Sequence, residues 1–283
     1  MESIVVAIAS VAVGLVIGVL SGLLGIGGGT MMVPVFKLGY LMPPIVCTGT
    51  SLFVIILTSI SGAATHLKKR TCLPKIGVAA GIGGACMSPV GVWLASLSPD
   101  WAIMVAAAAV ILYSAITMFR KALQAPKPAK AAADAGNAVA GGGACKAAAG
   151  AEAATAPGLP EVGPRELGIG FAIGLAAGIM SGYVGVGGGF IMVPLFMSLL
   201  KTPMKLTSGT SLIAVLILAI PGVITQASMG NVDWLAGIAI AIGTVPGALV
   251  GSRLVERVPE RTLRYLFSAI LCVAAVMLVV DQL

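Results

Sequence analysis

Ten apolar stretches joined by short polar turns dominate the chain. They lie at 4–24, 30–41, 46–66, 73–97 and 102–119, and again at 167–184, 190–200, 207–227, 233–252 and 263–280. A helix needs about 20 residues to cross a bilayer core, and roughly six to eight of these stretches are long enough. The two short ones, 30–41 and 190–200, each follow a glycine cluster and read as half-helices of a broken span. The pattern predicts an all-α polytopic membrane protein.

Composition agrees. Of 283 residues, 58% are hydrophobic and 10% charged, and mean hydropathy is +1.07. A soluble domain carries about 25% charged residues. Too little charge is present here to cover a water-facing surface, which excludes a soluble enzyme and a wholly disordered chain. The formal charge of +7 sits between apolar runs, where basic residues set topology rather than bind nucleic acid. The start is unlike a secretory signal peptide, because Glu2 is the only charge before a long apolar run. Cys47, Cys72, Cys86, Cys145 and Cys272 form no CxxC pair and have no histidine at ligand spacing. Neither a disulfide framework, a metal site nor a cofactor is expected.

One stretch differs. Between 121 and 160, alanine fills 17 of 40 positions, and Asp134, Asn137, Lys146 and Glu152 interrupt it. The stretch 121–165 reads as an aqueous linker, disordered or partly helical, between membrane regions 1–120 and 166–283.

Those two regions are copies. Ser21–Pro34 recurs as Ser181–Pro194 at an offset of 160, with 9 of 14 positions identical. The same offset maps Thr48–Leu52 onto Ser208–Leu212, and Gly14, Gly18 and Gly22 onto Gly174, Gly178 and Gly182. Matched clusters in one register indicate a duplication. Basic residues then orient the copies, since they prefer the cytoplasmic side. If both copies faced the same way, 7 of 17 basic residues would lie outside. If the copies are inverted, 16 of 17 lie inside and Lys37 alone lies outside. The expectation is two inverted repeats of about four or five transmembrane or half-membrane helices each. Glycine-rich breaks lie at the centre, both termini outside and the linker inside.

The chemistry centres on those breaks. Gly25, Gly27, Gly28 and Gly29 lie within five residues, as do Gly185, Gly187, Gly188 and Gly189. Each glycine costs a helix about 1 kcal/mol relative to alanine. A broken backbone is tolerated at membrane depth only inside protein or beside a wet cavity. The half-helix that follows has free N–H groups and the positive end of its dipole at its start. Together these describe an anion site built from main-chain amides. No nucleotide motif fits, since there is no GxxxxGK[ST] and no GxGxxG after a strand.

Thr48, Gly49, Thr50 and Ser51, and their copies Ser208, Gly209, Thr210 and Ser211, open long apolar helices. Their hydroxyls can cap free amides or donate to an oxyanion without adding charge. The stripes Gly14, Gly18, Gly22 and Gly174, Gly178, Gly182 read as close helix packing. Pro34, Pro194, Pro221 and Pro246 read as helix starts or kinks. Ionisable groups fall at predicted helix ends. His66 precedes Lys68, Lys69 and Arg70 and is expected to be a solvated interfacial residue, with proton coupling the lesser reading. Its repeat counterpart is Gln226. No HExxH, carboxylate dyad or Ser/His pair appears, so no catalytic residue is assigned.

The paired G-x-G-G-G-x-x-x-V-P elements, Gly25–Pro34 and Gly185–Pro194, each followed by a G-T-S helix start, resemble the TauE/SafE family of sulfite exporters, the transmembrane anion transporters. The resemblance covers both halves and lapses in the linker. It implies a secondary transporter in the cytoplasmic (inner) membrane that exports sulfite or an organosulfonate such as sulfoacetate. It also implies that both glycine clusters, with Thr50, Ser51, Thr210 and Ser211, surround the anion. The expected partners are a small anion and the bilayer, with no nucleic acid, and a homo-oligomer is compatible with this. A gated anion channel is the alternative. A cysteine-dependent sulfur-handling protein is another, resting on Cys47 beside Thr48, although its counterpart is Thr207.

Overall fold

A computed structural model describes residues 2–124, 163–255 and 257–280. Among these residues there are ten α-helices and no strand. The first half holds α1 (Glu2–Leu24), α2 (Gly29–Tyr40), α3 (Pro44–Lys68), α4 (Pro74–Leu97) and α5 (Asp100–Gln124). The second holds α6 (Pro164–Val184), α7 (Gly189–Leu199), α8 (Met204–Ser228), α9 (Trp234–Leu254) and α10 (Glu260–Val280). Six of them, α3–α6, α8 and α9, are long and apolar enough to cross a bilayer. The all-α polytopic fold expected from the hydrophobic pattern is present.

Local chemistry sets the helix ends. Pro44, Pro74 and Pro164 occupy the first turns of α3, α4 and α6, where the missing N–H costs nothing. Asp233 caps α9, its Oδ1 accepting from Leu235 N at 3.1 Å and Ala236 N at 3.0 Å. α5 runs on to Gln124 and α6 starts at Pro164, so helix replaces the expected linker at both of its edges. The linker reading of 125–162, and Cys145 with it, lies outside the described residues. Pro34, Pro194, Pro221 and Pro246 all sit inside helices.

The glycine stripes place the helices. A Cβ on Gly14 would lie 2.5 Å from Ile240 O, on Gly18 2.3 Å from Thr244 O, and on Gly22 2.4 Å from Ala248 O. The numbers rise together, so α1 and α9 pack side by side and parallel. Likewise Gly174 meets Ala80, Gly178 meets Gly84 and Gly182 meets Ser88, which makes α6 parallel to α4. These two backbone-to-backbone seams are the most extensive interhelical contacts of the fold. α3 follows α9, with Gly49 on Asn231 and Thr58 on Thr244. α8 follows α4, with Gly77 on Thr210 and Gly84 on Leu218. At the centre α3 and α8 run antiparallel, since Gly62 meets Leu212 and Gly222 meets Leu52.

Two bundles of three result, α1/α3/α9 and α4/α6/α8, pointing in opposite directions. The offset of 160 exchanges them, so each of these helices runs opposite to its sequence counterpart. α5 and α10 cross antiparallel outside, tied by Arg264 Nη1 to Lys121 O at 3.2 Å and Ser268 Oγ to Ala115 O at 3.1 Å.

Candidate functional site

The helices break where glycine alone is at ease. Gly25, Gly27 and Gly28 have φ of 73°, 79° and 82°, and Gly185, Gly187 and Gly188 have 74°, 82° and 67°. This left-handed region strains any residue with a Cβ. α1 and α6 stop there, and α2 and α7 restart at Gly29 and Gly189 with no side-chain cap.

The two breaks touch each other. A Cβ on Gly29 would lie 2.5 Å from Val186 O, and one on Gly189 2.8 Å from Ile26 O. Ile55 and Val215 lie against both Gly27 and Gly187. Every residue of both clusters is buried. Some N–H groups are bound internally: Met31 and Met32 donate to Gly28 O, and Ile191 and Met192 to Gly188 O. Among the described residues, no protein group accepts from the N–H of Gly27, Gly28, Gly187 or Gly188. Two uncapped half-helix starts therefore converge with spare donors and positive dipole ends. None of the atoms nearest the cluster glycines belongs to an acidic or basic side chain.

Each break is strapped to the other half. Ser211 Oγ donates to Gly25 O at 2.7 Å, and Ser51 Oγ donates to Gly185 O. Ser208 packs on Gly25 and Thr48 on Gly185. The structure thus brings Thr48, Ser51, Ser208 and Ser211 to the breaks. It turns Gly49, Thr50, Gly209 and Thr210 away, toward neighbouring loops. Thr50 Oγ1 accepts from Asp233 N and Thr210 Oγ1 from Leu73 N, both at 2.9 Å. Gly49 faces Asn231 O, and Gly209 faces Thr71 O and Cys72.

Two expectations are corrected. Thr48 and Ser208 do not open helices. The helices start at Pro44 and Met204, and the two hydroxyls donate back to Ile45 O and Met204 O. Pro43 and Pro203 fix those starts one turn earlier. His66 is not solvated but fully buried. Its Nδ1 pairs with Thr71 Oγ1 at 2.8 Å and its Nε2 approaches Gly22 O at 3.4 Å. Its counterpart Gln226 is also buried, donating to Thr48 Oγ1 at 3.2 Å and accepting from Asn231 Nδ2 at 3.1 Å. Both side chains fasten a helix end beside a break.

Sequence reasoning passed over the buried hydroxyls. Ser21 and Ser181, the first residues of the repeated motif, and Ser59 on α3 have no hydrogen-bond partner. Ser59 Oγ lies 3.5 Å from where a Cβ on Gly27 would be, and Ser21 Cβ 3.4 Å from the same point on Gly28. Ser21 and Ser181 were visible as matched members of the repeat. Ser59 was not, because its approach depends on the α3 crossing.

Two apolar grooves mark the surface, one of about 390 Å³ between α1, α2 and α10 and one beside Pro74 and Leu167. Neither reaches the breaks. Lys121 Nζ donates to Pro194 O at 2.7 Å and to Ser198 Oγ, pinning α7 to its neighbour α5.

Two interrupted helices that meet inside a bundle of membrane-length helices are a feature of polytopic transporters. More narrowly, a profile of the family Sulfite exporter TauE/SafE matches residues 10–278, and the chain belongs to that family. It is similar to the probable membrane transporter protein YunE of Bacillus subtilis, 25% identical over 96% of both chains. It is similar also to YdhB of the same organism, 25% identical over 88% of this chain and 90% of that one. The probable membrane transporter protein MJ0441 of Methanocaldococcus jannaschii is 23% identical over 92% of this chain and 91% of its own. No solved structure gives a significant match.

Proposed function

We propose that this membrane transporter exports a small sulfur-containing anion, sulfite or an organosulfonate such as sulfoacetate, across the cytoplasmic membrane by alternating access. The observation that carries the reading is the meeting of two uncapped half-helix starts whose N–H groups at Gly27, Gly28, Gly187 and Gly188 lack acceptors. Main-chain donors on converging dipoles suit an anion and offer nothing to a cation. Ser51 and Ser211 hold the breaks in position, each tying one half to the other.

The halves act as inverted repeats. Opposed helix directions support this, as does the positive-inside rule, since an inverted arrangement gathers 16 of 17 Lys and Arg on one side where a same-way arrangement leaves 7 on the other. The closed packing around the breaks means that the two three-helix bundles must shift against each other to admit and release substrate. A potential negative inside drives an anion outward by about 2.3 kcal/mol per charge per 100 mV. His66, buried beside the first break, is the group through which a proton would be coupled.

The test is flux of sulfite and sulfoacetate in proteoliposomes under imposed voltage and pH gradients, with a ligand panel in thermal unfolding. Saturable flux that follows the voltage or the pH gradient supports the reading. Flux that ignores both, or single-channel currents, would reject it. A bound ligand stabilises by RT ln(1 + [L]/Kd). No stabilisation by any anion would also end it.

A further inference from the structure

The two breaks share a backbone but not their surroundings. Ser21 and its counterpart Ser181 are both buried with no hydrogen-bond partner. Beyond that pair the halves part company. The first half has Thr30 where the second has Phe190, and Ser59 where the second has Ala219. All four are buried. Leu218 lies against Gly188, whereas its counterpart Thr58 turns its hydroxyl to Val54 O and Thr244 Oγ1. Against the first break lie Ser59 Oγ, 3.5 Å from a Cβ position on Gly27, and Ser21 Cβ, 3.4 Å from that on Gly28, whereas the atoms nearest Gly187 and Gly188 belong to Ile55, Val215, Ala177 and Leu218. Buried hydroxyls without partners are expensive. They are kept here beside two main-chain donors that are also without acceptors, which is the donor set of an oxyanion. The repeat makes the comparison internal: Ala219 shows that the fold does not need a hydroxyl at the Ser59 position.

We propose that the site is polarised, with the substrate's charged oxyanion head on the Gly27–Gly28 break, held by the Ser21 and Ser59 hydroxyls, and its uncharged substituent lying toward the Gly187–Gly188 break. This rests on the reading of the breaks as an anion site. It adds an orientation, and it makes Ser59 and Ala219 the positions that set specificity. The preferred ligand is charged at one end and apolar at the other. A compact anion charged all round, such as sulfate, leaves the hydrocarbon end unmatched and pays desolvation there.

Thermal stabilisation of the full chain by propanesulfonate and by sulfate tests this. Wild type is expected to bind propanesulfonate more tightly. Ser59→Ala and Ser21→Ala each remove one hydroxyl donor to a charged group, which weakens propanesulfonate binding by about tenfold or more. Ala219→Ser supplies a hydroxyl at the opposite break, so sulfate binding rises relative to propanesulfonate. Ser114→Ala removes another partnerless buried hydroxyl, on α5, and leaves both affinities unchanged. Melting temperatures without ligand show that each variant is folded. If propanesulfonate binds wild type but Ser21→Ala and Ser59→Ala match it, the orientation is wrong and the anion site stands. Tighter binding of sulfate than of propanesulfonate by wild type also overturns the orientation. If no anion binds wild type, the anion site fails and the orientation with it.

Discussion

Two glycines on α6 separate close approach from helix propensity. A Cβ on Gly178 would sit 2.3 Å from Gly84 O and 2.6 Å from Gly84 Cα. Ordinary carbon contacts lie at about 3.5–4.0 Å, so Gly178→Ala must push α6 and α4 apart by roughly 1 Å. Forcing one extra carbon into a filled interior costs about 1–3 kcal/mol, and alanine's better helix propensity offsets about 1 kcal/mol. The rigid backbone on both sides of the crossing leaves little room to relax, so a net loss of about 1–2 kcal/mol is expected. Gly168 lies on the same helix with nothing within 4 Å of its Cβ position. There Gly168→Ala gains about 0.5–1 kcal/mol from propensity alone. Reversible unfolding in detergent should therefore order the proteins as Gly168→Ala, wild type, Gly178→Ala. If Gly178→Ala is as stable as Gly168→Ala, the seam is not a backbone contact and the argument from close approach fails.

Three other outcomes follow from named contacts. Gly28→Val places a β-branched residue at φ 82° and 2.9 Å from Met32 Cε; it should insert in the membrane yet lose anion flux, and normal flux would remove the first break from the site. Asp233→Ala deletes the carboxylate that accepts from Leu235 N and Ala236 N at the start of α9 and should lower stability by about 1 kcal/mol, read as a lower melting temperature. Burial pushes the Cys72 thiol up to about 11, because desolvation disfavours the thiolate. In the folded protein its alkylation should stay slow at pH 8 and rise only as pH climbs past 10; fast labelling of Cys72 at pH 8 would contradict its burial.

How much of this was legible beforehand depended on the range of the interactions involved. The breaks could be read because three left-handed positions in five residues admit glycine alone, a local requirement. The helix ranges could be read from hydropathy, and every helix starts within three residues of its apolar stretch, the shift being set at α3, α6 and α8 by Pro44, Pro164 and Pro203. The pairing of α1 with α9 could not be read, since Gly18 and Thr244 meet only after the whole chain has folded. For the same reason His66 looked solvated. Three basic neighbours follow it in sequence, whereas Gly22 and Gly209, which bury it, come from other helices. The T-G-T-S and S-G-T-S elements looked like single units, but one helical turn sends Thr48, Ser51, Ser208 and Ser211 to the breaks and Thr50 and Thr210 to loops. The contrast between Ser59 and Ala219 was present in the sequence throughout and gained meaning only when Gly27 was found beside it.

The two glycine seams also dictate an order of assembly. Neither seam closes within one half: α1 waits for α9, and α4 for α6. Trp234 follows Leu24 by 210 residues, which at about 5–20 residues per second is roughly 10–40 s of synthesis. Throughout that delay the bare ridge of α1 faces lipid with no mate. The nascent protein can dock α6 onto α4 soon after the second half begins to emerge, but it locks shut only when its ninth helix arrives. A chain cut short before that point keeps α4 on α6 but leaves the clasp of α1 open.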